Sequence, residues 1–162
     1  SKFYKEAFEA NISVVTCNKI ANSGAYAQFA DLKNTAQKHG VDFYYETNVG
    51  AGLPIIKTLN DLMVSGDKIS KIEAILSGTI SFIFNNFKGE NNFHDVVKQA
   101  QEKGYTEPDP RDDLGGIDFM RKMLILARNA GFEVEASDVK LGAILPENCA
   151  KAASVEDEGR VE

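Results

Sequence analysis

VDFYYETNVGAGLPIIKTLNDLM, residues 41–63, decides the fold class. Its first six residues, VDFYYE, are rich in the β-branched and aromatic side chains that suit a strand. VGAGLP then turns the chain, and Pro54 falls in the first turn of a helix, where its missing N–H costs nothing. Ile55, Ile56, Leu59, Leu62 and Met63 recur at helical spacing until Gly66. A strand, a glycine turn and an amphipathic helix in direct succession form the repeating unit of a sheet covered by helices.

The same alternation continues on both sides. ISVVT, 12–16, reads as a buried strand, and Asn22 or Ser23 is placed to cap a helix over about 25–38 that Gly40 closes. KISKIEAIL, 68–76, has strand character. TISFIFNNF reads as a short helix, NFHDVVKQAQEKG as an amphipathic one, and residues 114–130 as a longer one closed by Gly131. VEASDVKLGAIL, 134–145, reads as a final strand. Phe3, Tyr4, Ala7 and Phe8 share a helical face from the first residues, while ENCAKAASVEDEGRVE is a polar tail, so the chain reads as a piece of a longer one. On pattern alone the fold is α/β or α+β.

Bulk properties narrow the function. The 162 residues, 43% hydrophobic, are enough for a domain with a real core. A net charge of −6 opposes nucleic-acid phosphates. No stretch approaches the ~20 apolar residues of a membrane span. Two cysteines, Cys17 and Cys149, are no disulfide framework and read as reduced thiols. The expectation is a soluble cytoplasmic protein with no nucleic-acid or membrane partner.

Three motifs carry chemistry. GYTEPDPRDDLGGIDFMRK, 104–122, gathers Glu107, Asp109, Asp112, Asp113 and Asp118 ahead of Lys122. Asp118 and Lys122 share a helix face by their spacing of four, which in isolation is an ordinary surface ion pair. The prolines after Glu107 and Asp109 stiffen the loop, and Asp112 or Asp113 can cap the helix. Carboxylates at the mouth of a helix that carries a lysine suit a substrate with an ammonium and a reacting oxygen. Calcium is excluded, because the EF-hand series counted from Asp109 meets Arg111, Leu114 and Met120. ETNVGAGLP is the second motif. It fails G-x-G-x-x-G at Ile55, and is either a tight turn or a cage of carbonyls and the Glu46 carboxylate for a cation. VVTCNKIANS is the third, where Thr16, Asn18 and Lys19 sit at a strand's C-terminal edge, the place where α/β folds bind ligands. GTISF is no G-x-S-x-G elbow, which removes a serine hydrolase.

Taken together and in this order, VVTCNKIANS, ETNVGAGLPII, LSGTISFIF and GYTEPDPRDDLGGIDFMRKMLILAR resemble homoserine dehydrogenase, most closely the dehydrogenase part of bifunctional aspartokinase–homoserine dehydrogenases. The resemblance covers about residues 12–146. It implies an α+β fold, a mixed β-sheet with helices on one face, preceded by a remnant of a Rossmann-type dinucleotide-binding domain. The implied division is 1–40 for the remnant, 41–150 for a catalytic and dimerisation domain, and 151–162 for a polar tail.

The resemblance also implies NAD(P)-dependent interconversion of L-homoserine and L-aspartate 4-semialdehyde, in threonine, methionine and isoleucine biosynthesis. In it Lys122 is the acid/base at the substrate oxygen, Asp118 its partner, and Lys19 a second lysine near the hydroxyl and the nicotinamide. Glu107, Asp113 and Asp118 hold the substrate, with Gly52 beside substrate and cofactor. Thr16, Asn18, Lys19 and Gly52 border NADP or NAD. Glu46 with the carbonyls of Val49, Ala51 and Leu53 holds a monovalent cation such as Na+. The family's phosphate-binding glycine loop has no counterpart here, so this piece is expected to be inactive by itself.

Ile69, Ile72, Ile75, Phe43 and Tyr45 are apolar with no evident cover, so a homodimer is expected. Two rivals stand beside this reading. One is a semialdehyde dehydrogenase with Cys17 or Cys149 as nucleophile, which lacks a neighbouring histidine in sequence. The other is a non-catalytic dimerisation module.

Overall fold

The computed structural model describes residues 2–89, 92–106 and 113–142. These form two compact units. The first takes residues 2–73 and 120–140, the second the described residues of 74–119 with 141–142.

In the first unit, helices α1 (Lys2–Glu9), α2 (Ile20–Ser23) and α3 (Tyr26–His39) accompany strands β1 (Val14–Val15) and β2 (Phe43–Tyr44). The strands run parallel, Val14 opposite Phe43 and Val15 opposite Tyr44. Their period of two sorts the side chains. Val14 and Phe43 face a core of Phe8, Ala21, Leu32 and Ala36, while Val15 and Tyr44 stay exposed. Gly40 closes α3 as expected, at φ +63° with its N–H on the Ala36 and Gln37 carbonyls.

The start of α3 differs from expectation. Neither Asn22 nor Ser23 caps it; Asn22 is buried inside α2, and the cap position is Ala25, whose side chain has no oxygen to offer. The Tyr26 N–H instead donates to Glu135 Oε1 at 2.9 Å, from 109 residues away. Helix α4 (Ile55–Val64) is capped from a distance too. Its Ile56 and Lys57 N–H groups donate to the two Glu46 oxygens at 2.7 and 2.8 Å.

The mixed sheet is corrected. Residues 67–77 form no regular element, so the expected strand over 68–76 is absent, and Ile75 is 79% exposed. Residues 134–142 hold a single 3-10 turn, Ala136–Asp138, in place of a strand; residues 143–145 of that expectation lie outside the described residues. A strand exists only by pairing its backbone with a neighbour. Among the described residues only β1 and β2 pair, so the sheet is small, two-stranded and parallel. Tyr45, expected to lack cover, is 5% exposed.

The second unit is helical. Helix α5 (Gly78–Asn86) starts where Ser77 Oγ accepts from the Ile80 N–H, and α6 (Phe93–Glu102) where Asn92 Oδ1 accepts from the His94 N–H. Ile83, Val96, Val97, Ala100 and Leu114 form its core, ringed by Ile80, Phe82, Phe87 and Phe93. Both helices fall where the pattern places them. Helix α7 (Ile117–Asn129) begins three residues later than expected, after Gly116 at φ +75°; Leu124, Ile125 and Leu126 in it are wholly buried.

Arg128, near the end of α7, ties the first unit together. Its side chain is fully buried. Nη1 donates to the Asn22 carbonyl at 2.9 Å, Nε and Nη2 to the Val134 carbonyl at 3.1 and 2.9 Å, and Nη2 lies 3.3 Å from Glu135 Oε2. The guanidinium also lies 5.7 and 5.6 Å from the ring centres of Tyr26 and Phe29. Burial lowers its pKa, and the Glu135 charge opposes that.

One turn on, Asn129 Oδ1 accepts the Tyr45 hydroxyl at 2.8 Å. Burial pushes the Tyr45 phenol up to about 12, and the Glu46 charge adds to this. A folded-state pKa above the ordinary value of about 10 contributes stability that is full below pH ~10 and lost as pH rises through ~12. A rise of that size corresponds to about 2–3 kcal/mol. In an alkaline absorbance titration the Tyr45 phenol should ionise only together with unfolding. A Tyr45→Phe variant whose titration differs from the parent's by one phenol ionising near pH ~10 in the folded chain would contradict this.

Candidate active site

At the C-terminal end of β1 the chain is locked by its own side chains. Thr16 Oγ1 lies 2.8 Å from the Tyr4 hydroxyl and accepts the Asn18 N–H at 3.1 Å. Asn18 Oδ1 then accepts the Ile20 N–H at 2.8 Å, which starts α2. Lys19 lies between them, half-buried, its carbonyl accepting from the Ser23 hydroxyl at 2.8 Å. Thr16, Asn18 and Lys19 therefore stand at the strand edge, as the sequence places them.

The glycine turn lies beside this edge. Asn48, fully buried, donates from Nδ2 to the Thr16 carbonyl at 3.3 Å and accepts on Oδ1 from Asn22 Nδ2 at 2.9 Å. Val49 is buried behind it. Gly50 has φ +77°, and a Cβ there would meet Ile55 Cδ1 at 2.2 Å, so the turn admits only glycine. Ala51 also takes positive φ, +53°, which carries about 1–2 kcal/mol of strain in an L-residue. Gly52 and Leu53 are exposed. The Asn48–Thr16 bond thus ties the strand edge at Thr16 to the turn that follows Glu46.

Both Glu46 oxygens accept backbone N–H groups of α4, so the role on view is a helix cap. Among the described residues no cluster of three or more His, Cys, Asp or Glu is arranged to hold a metal. Lys122 belongs to the same unit, on α7, with Asp118 one turn before it on that helix; both are half-buried.

In the second unit, Asp113 Oδ1 lies 3.3 Å from Thr79 Oγ1, whose hydroxyl donates to the Tyr105 carbonyl at 2.5 Å. Thr79 is buried at the start of α5 and lines an open groove of about 630 Å³ with Gly78, Ser81, Phe82, Asn85 and Tyr105. Sequence reading missed Thr79 and Asn48. The available signal was a polar residue at a position the apolar pattern buries, which must find a partner. Glu107 and Asp112 lie outside the described residues, as does Cys149. Cys17 is exposed.

A parallel strand pair, a strained glycine turn and a lysine-bearing helix thus belong to an α+β fold. Residues 54–161 match the family model of homoserine dehydrogenase. The chloroplastic bifunctional aspartokinase/homoserine dehydrogenase 2 of Zea mays is 48% identical over 154 residues, 95% of this chain and 17% of that protein. A crystal structure of a Candida auris protein of unknown function superposes with a TM-score of 0.89 at 44% identity, covering 97% of this chain and 46% of that one. A hyperthermophilic archaeal homoserine dehydrogenase in complex with NADPH gives 0.70 at 33%, covering 80% and 39%. The chain belongs to the homoserine dehydrogenase family, and spans less than half the length of each of these relatives.

Proposed function

We propose that this chain is the catalytic region of an NAD(P)-dependent homoserine dehydrogenase, interconverting L-homoserine and L-aspartate 4-semialdehyde. The observation that carries the reading is the family match across 54–161, which includes the segment bearing Asp118 and Lys122. The Lys19 edge held against the glycine turn supports it. In the second unit, Asp113 has Thr79 within hydrogen-bond reach.

When bound, NAD(P) would supply the hydride acceptor for the oxidising direction. Lys122 takes the hydroxyl proton and returns it to the forming alkoxide in reverse, the work of a positioned acid/base. Asp118, one turn away, orients the Lys122 side chain, and Lys19 offers a second cation to the same oxygen, which favours the alkoxide. Glu107 and Asp113 hold the substrate, Glu107 at its ammonium. Gly52 is exposed with nothing within 4 Å of where its side chain would begin, and that open space is compatible with a flat ring there. The β1–α3–β2 arrangement, two parallel strands joined through helices, is the building block of a dinucleotide-binding domain. This supports reading 1–40 as part of one, with 41–150 as the catalytic and dimerisation region and 151–162 as a tail. Among the described residues no helix is long and apolar enough to cross a membrane. A cytoplasmic location stays a proposal beside relatives named chloroplastic.

In an enzyme carrying the whole dehydrogenase region, Lys122→Ala should lower kcat by about 10²–10⁴-fold and change KM far less. A variant with near-parental kcat would remove Lys122 from the chemistry.

The carbonyls of Val49, Ala51 and Leu53 with the Glu46 carboxylate form an oxygen set for Na+, a hard cation. Sodium chloride should raise the melting temperature above choline chloride at equal ionic strength. At a hundred times Kd the gain is about 2.7 kcal/mol. Equal melting in both salts rejects the site.

A homodimer is proposed from the exposed apolar residues Leu62 and Val64 at the end of α4. Sedimentation velocity at micromolar concentration should show twice the chain mass. A monomer there refutes the dimer.

A further inference from the structure

The first unit contains a buried polar pair that stability does not account for. Asn22 and Asn48 are both 0% exposed. Asn48 Nδ2 must face the Thr16 carbonyl, because an oxygen there would repel it. That leaves Asn48 Oδ1 toward Asn22, which must offer Nδ2 in turn. The consequence is forced: Asn22 Oδ1 is buried with no hydrogen-bond partner among the described residues. An orphaned acceptor is costly, and two apolar side chains of similar shape would avoid it.

The pair does something apolar side chains cannot do. It joins three pieces of chain by directed bonds. Asn48 belongs to the turn leading to Val49–Leu53, and the Thr16 carbonyl precedes Asn18 and Lys19. The Asn22 carbonyl takes Arg128 Nη1 at 2.9 Å, and Arg128 lies on α7, six residues after Lys122. Arg128, Asn22, Asn48 and Thr16 therefore form one buried relay, from the helix of one proposed lysine to the strand edge of the other. Hydrogen bonds fix distance and direction where apolar contacts allow sliding.

We infer that Asn22 and Asn48 are positioning residues, setting Lys19 and the glycine turn relative to the helix that carries Lys122. Neither touches substrate; both act through the backbone they hold. The inference rests on the dehydrogenase reading of the site.

The test uses the enzyme with its whole dehydrogenase region. Asn48→Leu keeps the outline of the side chain and removes both its hydrogen-bonding atoms. It should lower kcat by about 10–100-fold, the scale of an ångström misplacement. KM should change less than kcat, with the variant folded.

A double-mutant cycle of Asn22→Ala and Asn48→Ala should be non-additive, the pair costing little more than the worse single change. A leucine variant with parental kcat overturns the inference, as does additivity in the cycle. Loss of folding in the leucine variant marks a structural role and overturns it too. A parent enzyme that does not oxidise homoserine is a different failure, that of the dehydrogenase reading.

Discussion

A fully buried guanidinium organises the first unit. Removing a cation from water is expensive unless its donors are satisfied, and Arg128 meets this by drawing in the Asn22 and Val134 carbonyls and the Glu135 carboxylate. These partners come from two segments, so satisfying one side chain fixes α2 and the loop after α7 against the end of α7. The Tyr26 and Phe29 rings complete the enclosure from α3. Arginine is suited to this role because its planar fork supplies several donors at fixed angles. Truncation would leave two carbonyls buried and unpaired, so the arrangement holds as a whole.

The same logic appears at two helix starts. Glu135 serves Arg128 with one oxygen and the Tyr26 N–H with the other, and Glu46 places an oxygen on each of two α4 N–H groups. Both carboxylates do the work of a local cap from elsewhere in the chain. Their effect is to bind loops to helix ends, and this holds the turn at 46–53 in its strained form. Positive φ at Ala51 persists only where its surroundings over-determine it.

Much of the helical content was legible, for identifiable reasons. Ser77 and Asn92 cap the helices they precede, and Gly40 stops α3, because those interactions are local. Long-range interactions were not legible. Asn22 looked like a cap and became a buried link, since Glu135 had already taken the α3 start. KISKIEAIL has strand chemistry, yet its state depends on a pairing partner that its own residues do not specify. Tyr45 looked uncovered because Asn129 and the core lie far off in sequence. Of the candidate site, Lys19 and the glycine turn were legible as motifs. What joins them, Asn48, was not, because an asparagine in a turn more often serves the turn itself.

In the proposed chemistry Lys19 and Lys122 meet the substrate oxygen, and both lie in the first unit, where Thr16, Asn48, Asn22 and Arg128 are joined by hydrogen bonds. The most direct test is a crystal structure of the whole dehydrogenase region with L-homoserine and NADP bound. The account predicts the homoserine hydroxyl within about 3 Å of Lys122 Nζ, with Lys19 on the same side and Gly52 against the nicotinamide. A hydroxyl bound away from Lys122, with that lysine facing solvent, would contradict it.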